Sequence, residues 1–134
     1  MKKRITCRYN ISQKTITHLG LNQKEIMENI ANFLNVNLNY LFKNNPLFKP
    51  QFTIQSSSIS SNEILFSYFE KYPVFSSKYL NYKDWNLVFH MLKKKEHLNP
   101  SGFETIIKIK EGMNNNRKFF NWTHLENLYS PYLI

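Results

Sequence analysis

The feature that most restricts what this chain can become is a strict two-residue alternation near its start. Ile5, Cys7, Tyr9 and Ile11 fall on one side, and Arg4, Thr6, Arg8, Asn10 and Ser12 on the other. That is the pattern of a half-buried strand. A slip of one residue would invert both faces, so such a strand accepts a single register. Its polar face suits open solvent and a phosphate backbone equally well.

Helical periodicity follows from about 23 to 34. Asn22 is placed to cap it, with Glu25 three residues on as a capping-box partner, and Ile26, Ile30, Phe33 and Leu34 form the expected buried stripe. Two strands are expected near 37–43 and 51–57, separated by the turn-rich Lys43-Asn44-Asn45-Pro46. In the second, Phe52 and Ile54 should face the core and Thr53, Gln55 and Ser57 should face outward; in the first the parity is ambiguous. The second half reads as helical. Ser61 is the expected cap of a segment with Ile64, Leu65, Tyr68 and Phe69 on one side, stopped by Tyr72-Pro73. A helix over 78–96 should bury Trp85, Val88, Phe89 and Leu92, and a last one should start at Asn99-Pro100 and end near Gly112. Asn114 to Lys118 reads as a basic loop. The class is α+β, with about three antiparallel strands, packed helices and a helical C-terminal region.

Lys and Arg number 18 against 9 Asp and Glu, giving a net charge of +9. The acids are eight Glu and the single Asp84. Two-metal phosphodiester chemistry needs several well-placed carboxylates, so this shortage weighs against a self-contained metal-dependent enzyme. One cysteine, Cys7, rules out an internal disulfide framework and any cysteine-based zinc site. No uncharged apolar run nears the roughly 18 residues of a membrane span, and Met1-Lys2-Lys3-Arg4 opens no secretory signal. The chain has 18 Asn and 15 Lys but 3 Arg and one Ala, the mark of a very A+T-rich gene, with an organelle as the first candidate.

His90 and His97 are about two helical turns apart, too far for one metal ion. With Gly20, Gly102 and Gly112 as its only glycines, the chain has no phosphate-binding loop. Lys93-Lys94-Lys95 on a helix suits a solvated face as well as a phosphate contact. A basic charge spread over both halves, beside a strand with an Arg/Asn/Ser/Thr face, favours nucleic-acid binding.

Several motifs then fall into one pattern. Arg8-Tyr-Asn-Ile-Ser-Gln-Lys14, followed by a helix ending Ala31-Asn-Phe-Leu-Asn-Val36, resembles the core strand and helix of LAGLIDADG homing endonucleases and intron maturases. Tyr68-Phe-Glu-Lys-Tyr-Pro-Val-Phe-Ser-Ser-Lys-Tyr-Leu-Asn-Tyr82 is similar to the fungal mitochondrial members, as are Lys95-Glu-His-Leu98, Gly102-Phe-Glu-Thr-Ile106, Ile109-Lys-Glu-Gly-Met-Asn114 and Phe120-Asn-Trp-Thr-His-Leu125. The resemblance implies a half-domain of order α-β-β-α-β-β-α, whose antiparallel sheet forms a saddle over the DNA major groove. It implies that Arg4, Thr6, Arg8, Asn10, Ser12 and Lys14, with Thr53, Gln55 and Ser57, line that saddle. It also implies that Gln13 and Lys78 match accessory positions near the scissile phosphates.

The family's name-giving helix, with its acidic metal ligand, belongs upstream of residue 1, together with the first strand. The expected fold is therefore a truncated LAGLIDADG half-domain over 1–113, with 114–134 as basic loop and C-terminal extension. Asp84, downstream of Lys78, cannot replace the missing acid, and a sheet without its first strand should show an unpaired edge. No resident cofactor is expected, with Mg²⁺ implied only if another chain complements the site. Two functions follow. One is a non-catalytic binder of organellar structured RNA (a ribosomal RNA or an intron), held among other proteins of a larger assembly such as a mitochondrial ribosome, with no membrane partner. Its contacts would come from Lys93, Lys94, Lys95, Arg117 and Lys118, because the deep, narrow groove of double-stranded RNA does not admit the saddle. The other is half of a split homing endonuclease that cuts duplex DNA.

Overall fold

Residues 8–67 turn their alternating patterns into a small sheet. A computed structural model describes residues 4–125. Within it β1 (Tyr9–Lys14), β2 (Leu38–Leu41) and β3 (Gln51–Ser56) pair antiparallel in the order β1-β3-β2. Ile11 lies opposite Ile54, which in turn lies opposite Leu38, so one sheet face is apolar in all three strands. Phe52 and Ile54 on that face are buried, and α1 (Lys24–Leu34) packs against β3 and β2. Among the described residues β1 has a neighbour on one side only, so its other edge is open.

The alternation at the start extends further than the ladder does. Arg4, Thr6 and Arg8 are exposed while Cys7 is buried and Ile5 half-buried, yet pairing begins only at Tyr9. The cause lies in β3, whose last residue Ser56 is the partner of Tyr9; residues before Tyr9 meet no strand. The chain after Ser56 turns instead into α2 (Ile59–Lys71).

Two helix expectations are corrected. In α1 Leu34 is buried as expected, but Met27 and Ala31 complete the stripe with it; Ile30 is half-buried, and Ile26 and Phe33 are 57% and 54% exposed. Both sets have i, i+4, i+7 spacing, so periodicity alone does not separate them. Ala31, the single alanine, lets the helix approach the sheet closely, and Met27 adapts its shape to the gap. Asn22 accepts the Lys24 N–H at 2.8 Å as a local turn, without a reciprocal bond from Glu25. In α2 the capping residue is Ser58, whose Oγ accepts the Ser61 N–H at 3.1 Å; Ser61 sits inside the helix and is buried. Next to it, Asn62 is 1% exposed and its Oδ1 accepts a 2.6 Å hydrogen bond from the buried Ser56 hydroxyl. This ties the end of β3 to the start of α2.

Residues 8–67 form one compact unit, and residues 4–7 with 68–125 form another. In the second, α3 (Lys78–Lys93) buries Trp85, Val88 and Phe89 as expected, with Tyr82, Trp85 and Phe89 stacked at 6.1 and 5.3 Å. Leu92 is half-buried. Its last helix, α4 (Pro100–Glu111), starts after an extended Asn99 with proline in the first turn and ends at Gly112. Between α3 and α4 the chain makes a tight turn over Glu96–Leu98, entered through Lys95 at φ 59°. That turn lies directly on Gly102, where an added Cβ would stand 2.0 Å from the Glu96 carbonyl oxygen. The expected 114–134 extension is described only to Leu125; its remainder lies outside the described residues.

Two outcomes are expected. Gly102→Ala should destabilise the protein by roughly 1–3 kcal/mol through overpacking against backbone. Gly112→Ala, whose Cβ would find nothing closer than 3.8 Å, should not; equal thermal unfolding of the two variants would refute the close approach. Burial pushes the Cys7 thiol from near 9.0 up to about 12. The neutral thiol is thus favoured by folding, so its contribution is complete below about pH 9 and is lost as pH rises toward 12. The fall in unfolding midpoint above pH 9 should be shallower in Cys7→Ala than in the parent chain.

Candidate nucleic-acid interface

The register that buries one sheet face determines what the other presents. Asn10 lies opposite Gln55; Ser12 lies opposite Thr53, which faces Asn39; Lys14 lies opposite Gln51, which faces Leu41. Asn10, Ser12, Lys14, Asn39 and Gln55 are exposed, and Thr53 and Gln51, on the central strand, are half-buried. Among the described residues none of these polar side chains is engaged in a hydrogen bond or ion pair. No carboxylate stands among them. The result is a layer of amides and hydroxyls, free to bond outward, on a backbone held by ladder pairing.

The site residues expected from sequence divide accordingly. Asn10, Ser12, Lys14, Thr53 and Gln55 share this outward face, and Ser57 follows β3 with the same parity and is exposed. Arg4, Thr6 and Arg8 are exposed but precede the ladder. Gln13 lies on the opposite face, beside Phe52 and in the row of Tyr40. Lys78 is exposed as the first residue of α3, its backbone N–H bound to Ser76 Oγ at 3.2 Å. Lys93 lies 5.4 Å over the Phe89 ring, and Lys94 and Lys95 are exposed at the helix end. Asn39, Leu41 and Gln51 had not been singled out. Gln51 shares its parity with Thr53 and was accessible from sequence; Asn39 and Leu41 needed the β2 register.

Arg117 has a structural role. Its guanidinium is paired with Asp84 and also donates to Asn81 Oδ1 at 3.3 Å, and its side chain is only 14% exposed. The same Asn81 oxygen accepts the Asn114 N–H at 3.0 Å. Asn81 and Asp84, one turn apart on α3, thereby hold the 114–117 turn in place. Lys118 remains exposed.

Nor do these residues fit a Mg²⁺ centre. Among the described residues no three His, Cys, Asp or Glu side chains converge, and the one Asp is neutralised by Arg117. Elsewhere in the 68–125 unit, Phe69, Glu70, Phe75, Tyr79, Tyr82 and His124 line a cleft of about 270 Å³. There the Tyr82 hydroxyl donates to Glu70 at 2.9 Å, and burial together with that carboxylate raises its pKa. His124 stacks on Tyr79 at 4.2 Å. Among the described residues no helix is long and apolar enough to cross a membrane.

The 8–67 unit is thus a helix-backed antiparallel sheet with one face of unengaged hydrogen-bonding side chains. Comparison with known proteins gives the family. Residues 1–89 match the LAGLIDADG endonuclease family model, and the chain belongs to that family. It is 33% identical over 118 residues to the probable intron-encoded DNA endonuclease aI1 of Mycosarcoma maydis, covering 88% of this chain and 96% of that protein. It is 30% identical over 115 residues to the intron-encoded DNA endonuclease aI3 of Saccharomyces cerevisiae, covering 78% of this chain but 28% of that protein. The LAGLIDADG homing endonuclease I-GzeII, solved in complex with its DNA target, superimposes with a TM-score of 0.73 at 27% identity over 87% of this chain and 37% of its own. The chain thus spans little more than a third of that solved structure.

The Arg117 anchor has a direct test. Arg117→Ala should cost about 1 kcal/mol in denaturant unfolding and leave nucleic-acid affinity unchanged. Lys118→Ala should show the reverse, with the salt slope of binding reduced by about 1 if Lys118 meets a phosphate.

Proposed function

We propose that this chain is the DNA-gripping portion of a LAGLIDADG homing endonuclease half-domain, seating its sheet in the major groove of duplex DNA. The observation that carries the reading is the outward sheet face: three registered rows of unengaged amides, hydroxyls and one ammonium, with no carboxylate to repel phosphate. A two-stranded or wider ribbon fits the major groove, where base edges offer hydrogen-bond partners. Arg8 and Lys14 add phosphate contacts that position the sheet without reading sequence. The relatives named above are DNA endonucleases, and I-GzeII is bound to a DNA target. That supports DNA over the structured-RNA partner and the ribosomal assembly expected from the missing acidic helix and the A+T-rich coding. An organellar, mitochondrial location fits the A+T-rich coding and the intron-encoded relatives.

Cutting needs metal-binding carboxylates that the described residues do not bring together. On this reading the acidic helix comes from another segment or chain, and Mg²⁺ acts where the two meet.

Affinity for duplex DNA and for a folded RNA, measured against salt, tests the proposal. Expected is tighter binding to duplex DNA, with log K falling linearly with log salt at a slope of about −0.9 per phosphate contacted; preference for the RNA would overturn it. With Mg²⁺ the isolated chain should leave a target plasmid intact. Complemented by a chain carrying the acidic helix it should cut, and Lys78→Ala should slow that cutting by roughly 10²-fold if Lys78 stabilises developing phosphate charge.

A further inference from the structure

The outward face carries a chemical bias that goes beyond groove binding. Four of its positions are amides: Asn10 and Gln55 in one row, Asn39 in the next and Gln51 in the third. An amide presents a donor and an acceptor side by side. In the major groove adenine is the base that answers with an acceptor N7 and a donor N6, whereas guanine offers two acceptors and is matched by Arg or Lys. The face holds one side chain with donors alone, Lys14, and it lies in the last row. Beside Gln51 in that row stands Leu41, an apolar group suited to the thymine methyl. The hydroxyls of Ser12 and Thr53 in the middle row accept either base pair. Arg8, the nearest two-pronged donor, lies outside the ladder.

Spacing decides how much DNA this covers. Alternate residues along a strand are about 6.8 Å apart, which equals about two base-pair steps of 3.4 Å. Three rows therefore reach across about five consecutive base pairs.

We infer that the sheet selects a run of about five A·T-rich base pairs, adenine being read by the four amides, with guanine favoured only at the row of Lys14. The inference rests on the duplex-DNA reading above and adds the class of sequence recognised.

The test is selection by the full chain from a duplex pool with a randomised central segment. Expected is enrichment of A·T over about five adjacent positions, and a loss of about tenfold in affinity when a G·C pair replaces one read by an amide. Gln55→Arg should move the preference at one base pair from adenine to guanine, with an unfolding temperature equal to the parent's. Binding without enrichment, enrichment of G·C across the segment, or an unchanged selection by Gln55→Arg would overturn the inference while leaving the duplex reading in place. Failure to bind any duplex would overturn the duplex reading itself.

Discussion

Two-sided pairing of β3 is the constraint on which residues 8–67 depend. The strand is paired with β1 along its whole length and with β2 over residues 51–54, so most of its backbone groups are satisfied on both edges. Period-two geometry then sends Phe52, Ile54 and Ser56 to the buried side and Gln51, Thr53 and Gln55 outward. Met27, Ala31 and Leu34 of α1 close the buried side, and the Ser56–Asn62 hydrogen bond joins the strand's end to α2. The Ser56 hydroxyl could not be buried there alone: an unpaired buried hydroxyl costs about 1–3 kcal/mol. Its partnership with Asn62 fixes where β3 stops, and therefore where pairing with β1 begins at Tyr9.

Much of this was legible because alternation is a strong signal. The polar positions Asn10, Ser12, Thr53 and Gln55 followed from parity alone, as did the burial of Phe52 and Ile54. The helix Pro100–Glu111 followed from Asn99, Pro100 and Gly112, each acting through local backbone chemistry. What was not legible depended on tertiary choice. Leu34 was legible, but Ile26, Ile30 and Phe33 fit the period beside it as well as Met27 and Ala31 do, and the period alone does not choose between them. Ser58 and Ser61 are both chemically able to cap α2, and the end of β3 selects the earlier one. The parity of β2 had to wait for its register, which is why Asn39 and Leu41 escaped notice.

Charge was a weaker guide than periodicity. Arg117, in a run of basic and amide residues, reads as an exposed contact, but its guanidinium is spent on Asp84 and Asn81. A planar, permanently charged group suits such an anchor better than lysine does. The single Asp serves architecture, paired with Arg117, and among the described residues no three metal-ligating side chains converge.

The strict parity of β3 has one more consequence, for how such a chain changes over time. Side chains on the outward face lie opposite the buried layer, so replacing the exposed ones disturbs folding little, since surface substitutions usually shift stability by about 0.5 kcal/mol or less. The exposed chemistry of the strand can then drift, one position after another, while the scaffold persists. Surface character and foldedness are inherited on alternate residues of the same strand, and selection can act on one without taxing the other.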